Sequence, residues 1–146
     1  MSAADLPDGM PFANHVGLKV VEASDGEAVV ELPMREELSS VPGRRIAHGG
    51  ATYTLADTAA GAAVVSLHHR PTPTVDMRMD YLAPATDDLR AEATVVRDGG
   101  GVATAEARIE DAVGTHVADA RGTFETGGTD DGGAWGVTPG DDSLAE

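Results

Sequence analysis

Alternation of apolar and polar residues predicts six β-strands along this chain. The first two are expected at residues 18–23 and 27–32, and the Asp25-Gly26 pair between them is typical of a tight hairpin. The other four are expected at residues 72–82, 89–97, 102–110 and 115–125. Short connections rich in Gly and Asp join these later strands, which predicts that the four form an antiparallel meander.

The alternation also predicts which side chains face the core. In the second strand these are Ala28, Val30 and Leu32. In the third strand the apolar face consists of Val75, Met77, Met79 and Tyr81, and the polar face of Thr74, Asp76, Arg78 and Asp80. Alanine dominates the inward positions of the last three strands, which also include His116, interpreted here as a core histidine.

A different pattern, rich in good helix formers, runs from residue 50 to about residue 67. It ends at His68-His69-Arg70-Pro71, where basic groups suit a helix C-terminus and the proline stops the helix. A short turn is also expected at Pro11–Gly17, with Phe12 and Val16 on one face. One long helix with six strands predicts an α+β fold in which a curved antiparallel sheet wraps around the helix.

The length of 146 residues indicates one domain. We expect residues 1–9 to be a flexible lead and residues 10–126 to be the folded domain. Residues 127–146 form an acidic, Gly-rich tail with Trp135 as its one large apolar group, and this composition predicts disorder. Residues 33–47 lack periodicity and are expected to be a long loop, which in compact domains is often functional.

The charge balance is strongly acidic, with 25 acidic against 10 basic residues and a formal net charge of −15. A chain without a basic surface is a poor partner for nucleic acid. An acidic, lysine-poor composition indicates a cytoplasmic protein that works in high salt, that is, a halophilic one. There are no cysteines, and no apolar run approaches the roughly 18–20 residues of a membrane-spanning helix.

Asp57 is the least expected residue of the central helix, because it lies among small and apolar residues. An unpaired buried carboxylate costs free energy, so Asp57 must have either a partner, such as Arg78, or a function. His48 precedes two glycines at the start of the helix, where a structural capping role is the favoured interpretation. The neighbouring pair His68-His69 does not have the spacing of a metal site, since adjacent helix residues point in different directions.

The segments His48-Gly49-Gly50 and Leu55-Ala56-Asp57-Thr58, with the acid nine residues after the histidine, resemble the hotdog-fold thioesterases. The similarity is to the PaaI-like acyl-CoA thioesterase family of phenylacetic acid degradation, and it extends over about residues 10–126. The segments 74–77 and 81–84 add to the similarity, since they resemble the third strand of that family and the residues at which the chain leaves this strand. The resemblance implies the hotdog fold and hydrolysis of a small or aromatic acyl-CoA.

The resemblance also implies roles for individual residues. Asp57 matches the catalytic acid, as general base or nucleophile, and Gly49 matches the residue whose N–H holds the thioester carbonyl. Thr74 matches a position that helps to orient the water. Many relatives have Asn six residues before the histidine, where this chain has Pro42. Ser39, Ser40 or a water could take the place of that Asn on the loop side of the site, or the place could stay unfilled.

Candidate substrate-binding residues are His48 and Gly50 at the helix start, and four arginines that could meet the phosphates of coenzyme A: Arg44, Arg45, Arg70 and Arg97. Hydrolysis of this kind is expected to need no metal or redox cofactor, and coenzyme A itself is part of the substrate.

Gly49 and Asp57 are eight residues apart, about 12 Å along one helix, so a single helix hardly places both on one carbonyl carbon. We therefore expect a site shared between two chains of a symmetric homodimer, and the resemblance extends this to a dimer of dimers.

Two other functions stay open at this level. A non-catalytic acyl-CoA-binding or regulatory protein could use the same fold, because fold alone does not determine function. A hydratase is less favoured, since it calls for an Asp and a His acting together and His48 is axially distant from Asp57.

Overall fold

The computed structural model describes residues 10–127, in which a six-stranded antiparallel sheet curves around one long helix. The strands are β1 (Lys19–Ser24), β2 (Glu27–Leu32), β3 (Thr74–Tyr81), β4 (Leu89–Asp98), β5 (Val102–Asp111) and β6 (His116–Glu125). The helices are α1 (Pro11–Val16) and α2 (Gly49–His68), with one 3-10 turn at Glu36–Leu38. The predicted α+β class is confirmed, and every predicted strand is present within about two residues of its expected ends.

The core lies between α2 and the inner face of the sheet. Ala59 and Ala63 of α2 are fully buried, as are Ala91 and Ala105 of the facing strands. Side chains this small let the helix approach the sheet closely without leaving voids. The predicted inward faces of β2, β4 and β5 are confirmed, because these strands have one face in the core and the other in solvent.

The strand order is β1-β2-β4-β5-β6-β3, so the predicted four-strand meander is wrong for β3. This strand pairs with β6 at the edge of the sheet, and β4 pairs with β2 instead. The connection at residues 82–88 can reach about 23 Å, enough to cross three strand spacings of about 4.8 Å. A connection of that length fits several pairings, so its length alone did not identify the neighbour of β3.

A bulge near the start of β3 changes the predicted faces of that strand. Thr74 pairs with Phe124, but Asp76 pairs with Thr123, so Val75 is the additional residue. Directly paired residues share a face, and Phe124 points into the core. Thr74 therefore faces the helix, and its predicted place on the outer polar face with Asp76 is wrong.

The apolar face predicted for β3 is only partly covered. Met77 and Met79 are half-buried, but Val75 and Tyr81 are 64% and 54% exposed. A second register shift, beside Ile109 and Glu110, turns Val117 of β6 into the core. His116 is then half-buried and lies 2.6 Å from Asp119 Oδ1, so the prediction of a core histidine is wrong.

The predicted helical turn is confirmed as α1, in which Ala13 and Val16 are buried and Phe12 is exposed. The helix packs on the core through its smaller residues.

Residues 1–9 and 128–146, including Trp135, lie outside the described residues. Within residues 10–127, no helix combines the length and apolar character needed to cross a membrane.

Candidate functional site

The start of α2 presents a backbone donor at its positive end. His48 is the N-cap residue: its Nδ1 accepts a hydrogen bond from the Gly50 amide at 2.8 Å. Its carbonyl accepts from the amides of Ala51 and Thr52. The amide of Gly49 has no acceptor among residues 10–127, and it belongs to the first turn, where the helix dipole favours negative charge. This N–H can therefore bind an anion or a polarised carbonyl oxygen.

The contact to Gly50 also defines the role of His48. Its Nδ1 is the acceptor for an amide of the first helical turn, which is the contact that defines a capping side chain. The favoured capping role of His48 is therefore confirmed. The ring limits the space at residue 50, since a Cβ there would lie 3.0 Å from His48 Nδ1.

A cavity of about 470 Å³ opens beside the Gly49 end of the helix. Its lining comes from the loop before α2, from the end of β3 and from β6, and includes Ile46, Thr52, Tyr81, Leu82 and Val117. The hydroxyl of Tyr81 donates a 2.8 Å hydrogen bond to the Gly49 carbonyl. Tyr81 was not predicted as a site residue, because a tyrosine at the end of a strand gives no sign in the sequence that it meets a helix start.

Asp57 lies two turns further along α2 and faces β3. Its Oδ1 accepts a 2.8 Å hydrogen bond from Thr74 Oγ1, which the bulge in β3 turns toward the helix. Burial raises the pKa of the Asp57 carboxyl, and the hydrogen bond from Thr74 opposes this rise. The carboxylate is thus a stronger base than an exposed aspartate, and it is oriented by one neutral donor.

Asp57 takes part in no ion pair within residues 10–127. Arg78, the alternative partner considered for it, lies 3.3 Å from Asp80 on the strand's other face. The alternative of an Asp57–Arg78 pair is therefore wrong. A half-buried carboxylate without a counter-charge is the kind of perturbed group that clusters at functional sites.

Gly49, Tyr53 and Asp57 follow one another at intervals of four residues, so they share one face of α2. Tyr53 is 39% exposed, and burial followed by the charges of Asp57 and Asp76 raises the pKa of its hydroxyl. The helix is continuous from Gly49 to His68, which keeps Gly49 and Asp57 roughly 12 Å apart along its axis. Asp57 does not line the cavity beside Gly49. One protomer therefore holds both groups but does not bring them to one point.

The four candidate arginines are divided between the two ends of α2. Arg44 and Arg45 are exposed in the loop before the helix start. Arg70 and Arg97 lie at the other end, about 30 Å away along this 20-residue helix. Arg70 also donates a hydrogen bond to the carbonyl of Thr126, which ties the end of the helix to the end of β6.

The loop side of the site is organised by Ser39. Its Oγ donates to the Val41 carbonyl at 3.0 Å and accepts from the amides of Val41 and Ile46. This hydroxyl therefore closes the loop around Pro42. Ser40 also ties the loop, through its amide and the Ile46 carbonyl.

Among residues 10–127 no group of three or more His, Asp or Glu side chains is arranged to hold a metal ion. His68 Nε2 instead lies 3.1 Å from the Asp98 carboxylate. His69 has left-handed backbone angles and ends the helix, its amide bonding the Val65 carbonyl. The interpretation of this pair as part of a helix terminus is confirmed.

Comparison with known proteins agrees with this geometry. The family model described as Thioesterase superfamily matches residues 45–118. A Halobacterium salinarum protein, whose name proposes an esterase, is 42% identical over 128 residues, covering 80% of this chain and 85% of its own.

Two solved structures extend the comparison. A point mutant of the phenylacetic acid degradation protein PaaI from Thermus thermophilus is 33% identical, with a TM-score of 0.72 and coverage of 80% of this chain and 98% of its own. The PaaI protein of E. coli is 26% identical, with a TM-score of 0.78 and coverage of 87% and 91%. The predicted hotdog fold and PaaI-like family are confirmed, and the chain belongs to the thioesterase superfamily, a family of hydrolases.

Proposed function

We propose that this protein is an acyl-CoA thioesterase that hydrolyses a small or aromatic acyl-CoA to the free acid and coenzyme A. One observation carries the proposal: the Gly49 amide, which has no acceptor within residues 10–127, shares a helix face with a half-buried carboxylate, Asp57, that is hydrogen-bonded to Thr74. A binding protein has no use for a carboxylate that costs folding free energy at this position.

In the proposed reaction the Gly49 N–H binds the thioester carbonyl oxygen, on which negative charge develops as water attacks. A preorganised backbone donor of this kind is typically worth about a hundredfold or more in rate. Asp57 accepts a proton from the attacking water, and the tetrahedral intermediate then collapses with cleavage of the C–S bond. The proton held by Asp57 passes to the departing thiolate, so that free acid and thiol are the products. In the alternative form of this mechanism, Asp57 itself is the nucleophile that attacks the thioester carbonyl carbon.

We propose that the site is shared between two copies of the chain. Edge strand β3 lacks a second neighbour among the described strands, and exposed Val75, Tyr81 and Leu82 lie along or just beyond it. An unpaired strand edge with apolar side chains is a surface that a second copy can cover. Antiparallel α2 helices in such a homodimer would place Gly49 of one chain opposite Asp57 of the other, twice per dimer. A dimer of dimers is the larger assembly we propose.

Arg44 and Arg45 are the proposed contacts for the coenzyme A phosphates, because they lie on the loop leading to Gly49. His48 and Gly50 shape the approach to the Gly49 amide. Arg70 and Arg97, at the far end of α2, are proposed to meet phosphates of a substrate held mainly by the second chain. The proposed chemistry requires no cofactor besides the coenzyme A of the substrate.

Release of free thiol from a panel of acyl-CoAs tests the function, with wild type beside Asp57→Ala. We expect at least a hundredfold loss of kcat in Asp57→Ala, because the water would have no base. Asp98→Asn is the matched control, since it removes a carboxylate at the other end of α2, where its partner is His68. Equal rates for wild type and Asp57→Ala would contradict the mechanism. Acyl-CoA binding without thiol release would favour the non-catalytic alternative.

A further inference from the structure

Tyr81, at the end of edge strand β3, rests on the first residue of α2. Its hydroxyl donates to the Gly49 carbonyl at 2.8 Å. A Cβ added to Gly49 would lie 3.4 Å from both Cζ and Oη of Tyr81, and 3.6 Å from Cε1. The ring thus borders the space that a side chain at residue 49 would occupy, although Tyr81 as a whole is 54% exposed. This contact joins the sheet to the helix at the residue whose N–H has no acceptor in the described part of the chain.

Two consecutive glycines make the start of α2 intrinsically mobile. Glycine loses more backbone entropy on ordering than any other residue. An oxyanion donor is useful only if it is held in place before the reaction. The first turn therefore needs contacts from outside its own backbone.

The structure supplies one side chain for each glycine. His48 Nδ1 holds the amide of Gly50, and Tyr81 Oη holds the carbonyl of Gly49. In an α-helix the Gly49 carbonyl also accepts from the amide of residue 53, so it then has two donors. The Tyr81 contact restrains Gly49, the residue that carries the proposed donor N–H, and His48 restrains Gly50.

We propose that Tyr81 is the positioning residue of the Gly49 amide: its hydroxyl and ring hold the first turn of α2 so that this N–H points at the carbonyl to be polarised. This role rests on the proposed thioesterase function. Burial, and then the neighbouring Tyr53, raise the pKa of Tyr81, which keeps its hydroxyl a donor over the neutral range. In this view β3 supports both halves of the site, Asp57 through Thr74 and Gly49 through Tyr81.

Tyr81→Phe tests the proposal, because it removes the hydroxyl and keeps the ring. We expect kcat to fall about tenfold while KM stays within about twofold, since a misplaced donor weakens transition-state binding and leaves substrate binding intact. Thr94→Val is the control, because it also removes a single hydroxyl, but from an exposed residue on the outer face of β4, away from the start of α2. Its kcat and KM should match those of wild type.

A second readout, independent of activity, is the ¹⁵N relaxation order parameter of Gly49 and Gly50. We expect it to fall in Tyr81→Phe and not in Thr94→Val. Unchanged kcat with unchanged order parameters would overturn the positioning role and leave the thioesterase function intact. A change in KM alone would also overturn it, because it would show that Tyr81 binds substrate. If wild type hydrolyses no acyl-CoA, the proposed function fails, and the order parameters then decide the role of Tyr81 by themselves.

Discussion

Thr74 Oγ1 lies 2.8 Å from Asp57 Oδ1, and the hydrogen bond between them exists only because β3 is bulged at Val75. Without the additional residue, Thr74 would follow the alternation of the strand and point away from α2. Bulges of this kind re-aim side chains beside active sites. The bulge thus places a neutral donor against a carboxylate that burial would otherwise leave unsupported.

Thr74→Val should shift the pH dependence of hydrolysis. The Thr74 hydrogen bond lowers the pKa of Asp57, which burial raises, so its loss moves that pKa further up. Since the ionised form is the base, the acid limb of the kcat profile moves to higher pH. At neutral pH we expect kcat to fall about tenfold, within the usual range for a positioned catalytic group.

Thr74→Ser is the control for this variant, because it keeps a hydroxyl and should retain the wild-type acid limb. A pH–rate profile from about pH 4 to 9 measures both variants, a range that begins near the ordinary pKa of an aspartate. An acid limb in Thr74→Val at or below that of wild type would contradict the assigned hydrogen bond.

Asp57→Asn should stabilise the protein while abolishing hydrolysis. The folded-state pKa of Asp57 is raised, so the folded state holds its proton more tightly than the unfolded state does. The stability that the folded state gains by holding this proton is fully present below the pKa of Asp57 in the unfolded state. It is lost as pH rises through the pKa of Asp57 in the folded state. At pH 7 the charged group therefore costs stability, and Asn, which can still accept from Thr74, removes that cost.

Urea unfolding at several pH values checks this prediction. The advantage of Asp57→Asn over wild type should be small near pH 4, grow as pH rises and become constant above the raised pKa. At pH 7 we expect a gain in the free energy of unfolding of about 0.5–2 kcal/mol, which is typical of a single stabilising substitution. A variant that is less stable than wild type at pH 7 would disprove it.

Mixed dimers test whether the site is shared. Gly49→Ala should fold, because its Cβ would meet Tyr81 at 3.4 Å, an ordinary contact, yet it should be inactive because the Cβ obstructs the approach to the amide. Mixed in equal amounts with Asp57→Asn chains, it should recover about a quarter of wild-type activity. Half of statistically mixed dimers contain both chains, and each of these has one intact site.

The controls for this experiment are the two variants assayed separately, each refolded alone by the same procedure. Both should remain inactive. A mixture no more active than its components, although exchange of chains is shown by mass spectrometry, would contradict the shared site.

Salt should stabilise this protein. The formal net charge of −15 makes the folded chain repel itself, and raising salt from 0.1 M to 1 M shortens the screening length from about 10 Å to about 3 Å. We expect the urea midpoint to rise steadily with KCl over this range. Replacing exposed Glu22 and Glu125 by Lys should reduce that dependence, and a midpoint independent of salt in wild type would contradict the prediction.

The parts of the fold that could be predicted are those encoded by neighbouring residues. Ala28, Val30 and Leu32 alternate along β2, and the alanines of β4 and β5 do the same, because a strand with one buried face must repeat every two residues. The long helix follows from its composition and its ends. Asp57 became a candidate because it lies among small and apolar residues, and Gly49 became one through the resemblance to thioesterases. Their spacing of eight residues indicates that one helix cannot bring them to one carbonyl carbon.

Other features depend on contacts between distant parts of the chain. The neighbour of β3 depends on which edge of the sheet is free, because the connection at residues 82–88 is long enough for several strand pairings. The bulge at Val75 reverses the face of Thr74, and the second register shift turns Val117 inward, because one additional residue inverts a two-residue period. Local pattern thus specified the helix, the strands and the acid. The packing of β3 against α2 determined that Thr74 reaches Asp57 and Tyr81 reaches Gly49, since such contacts arise only when segments far apart in the chain are folded together.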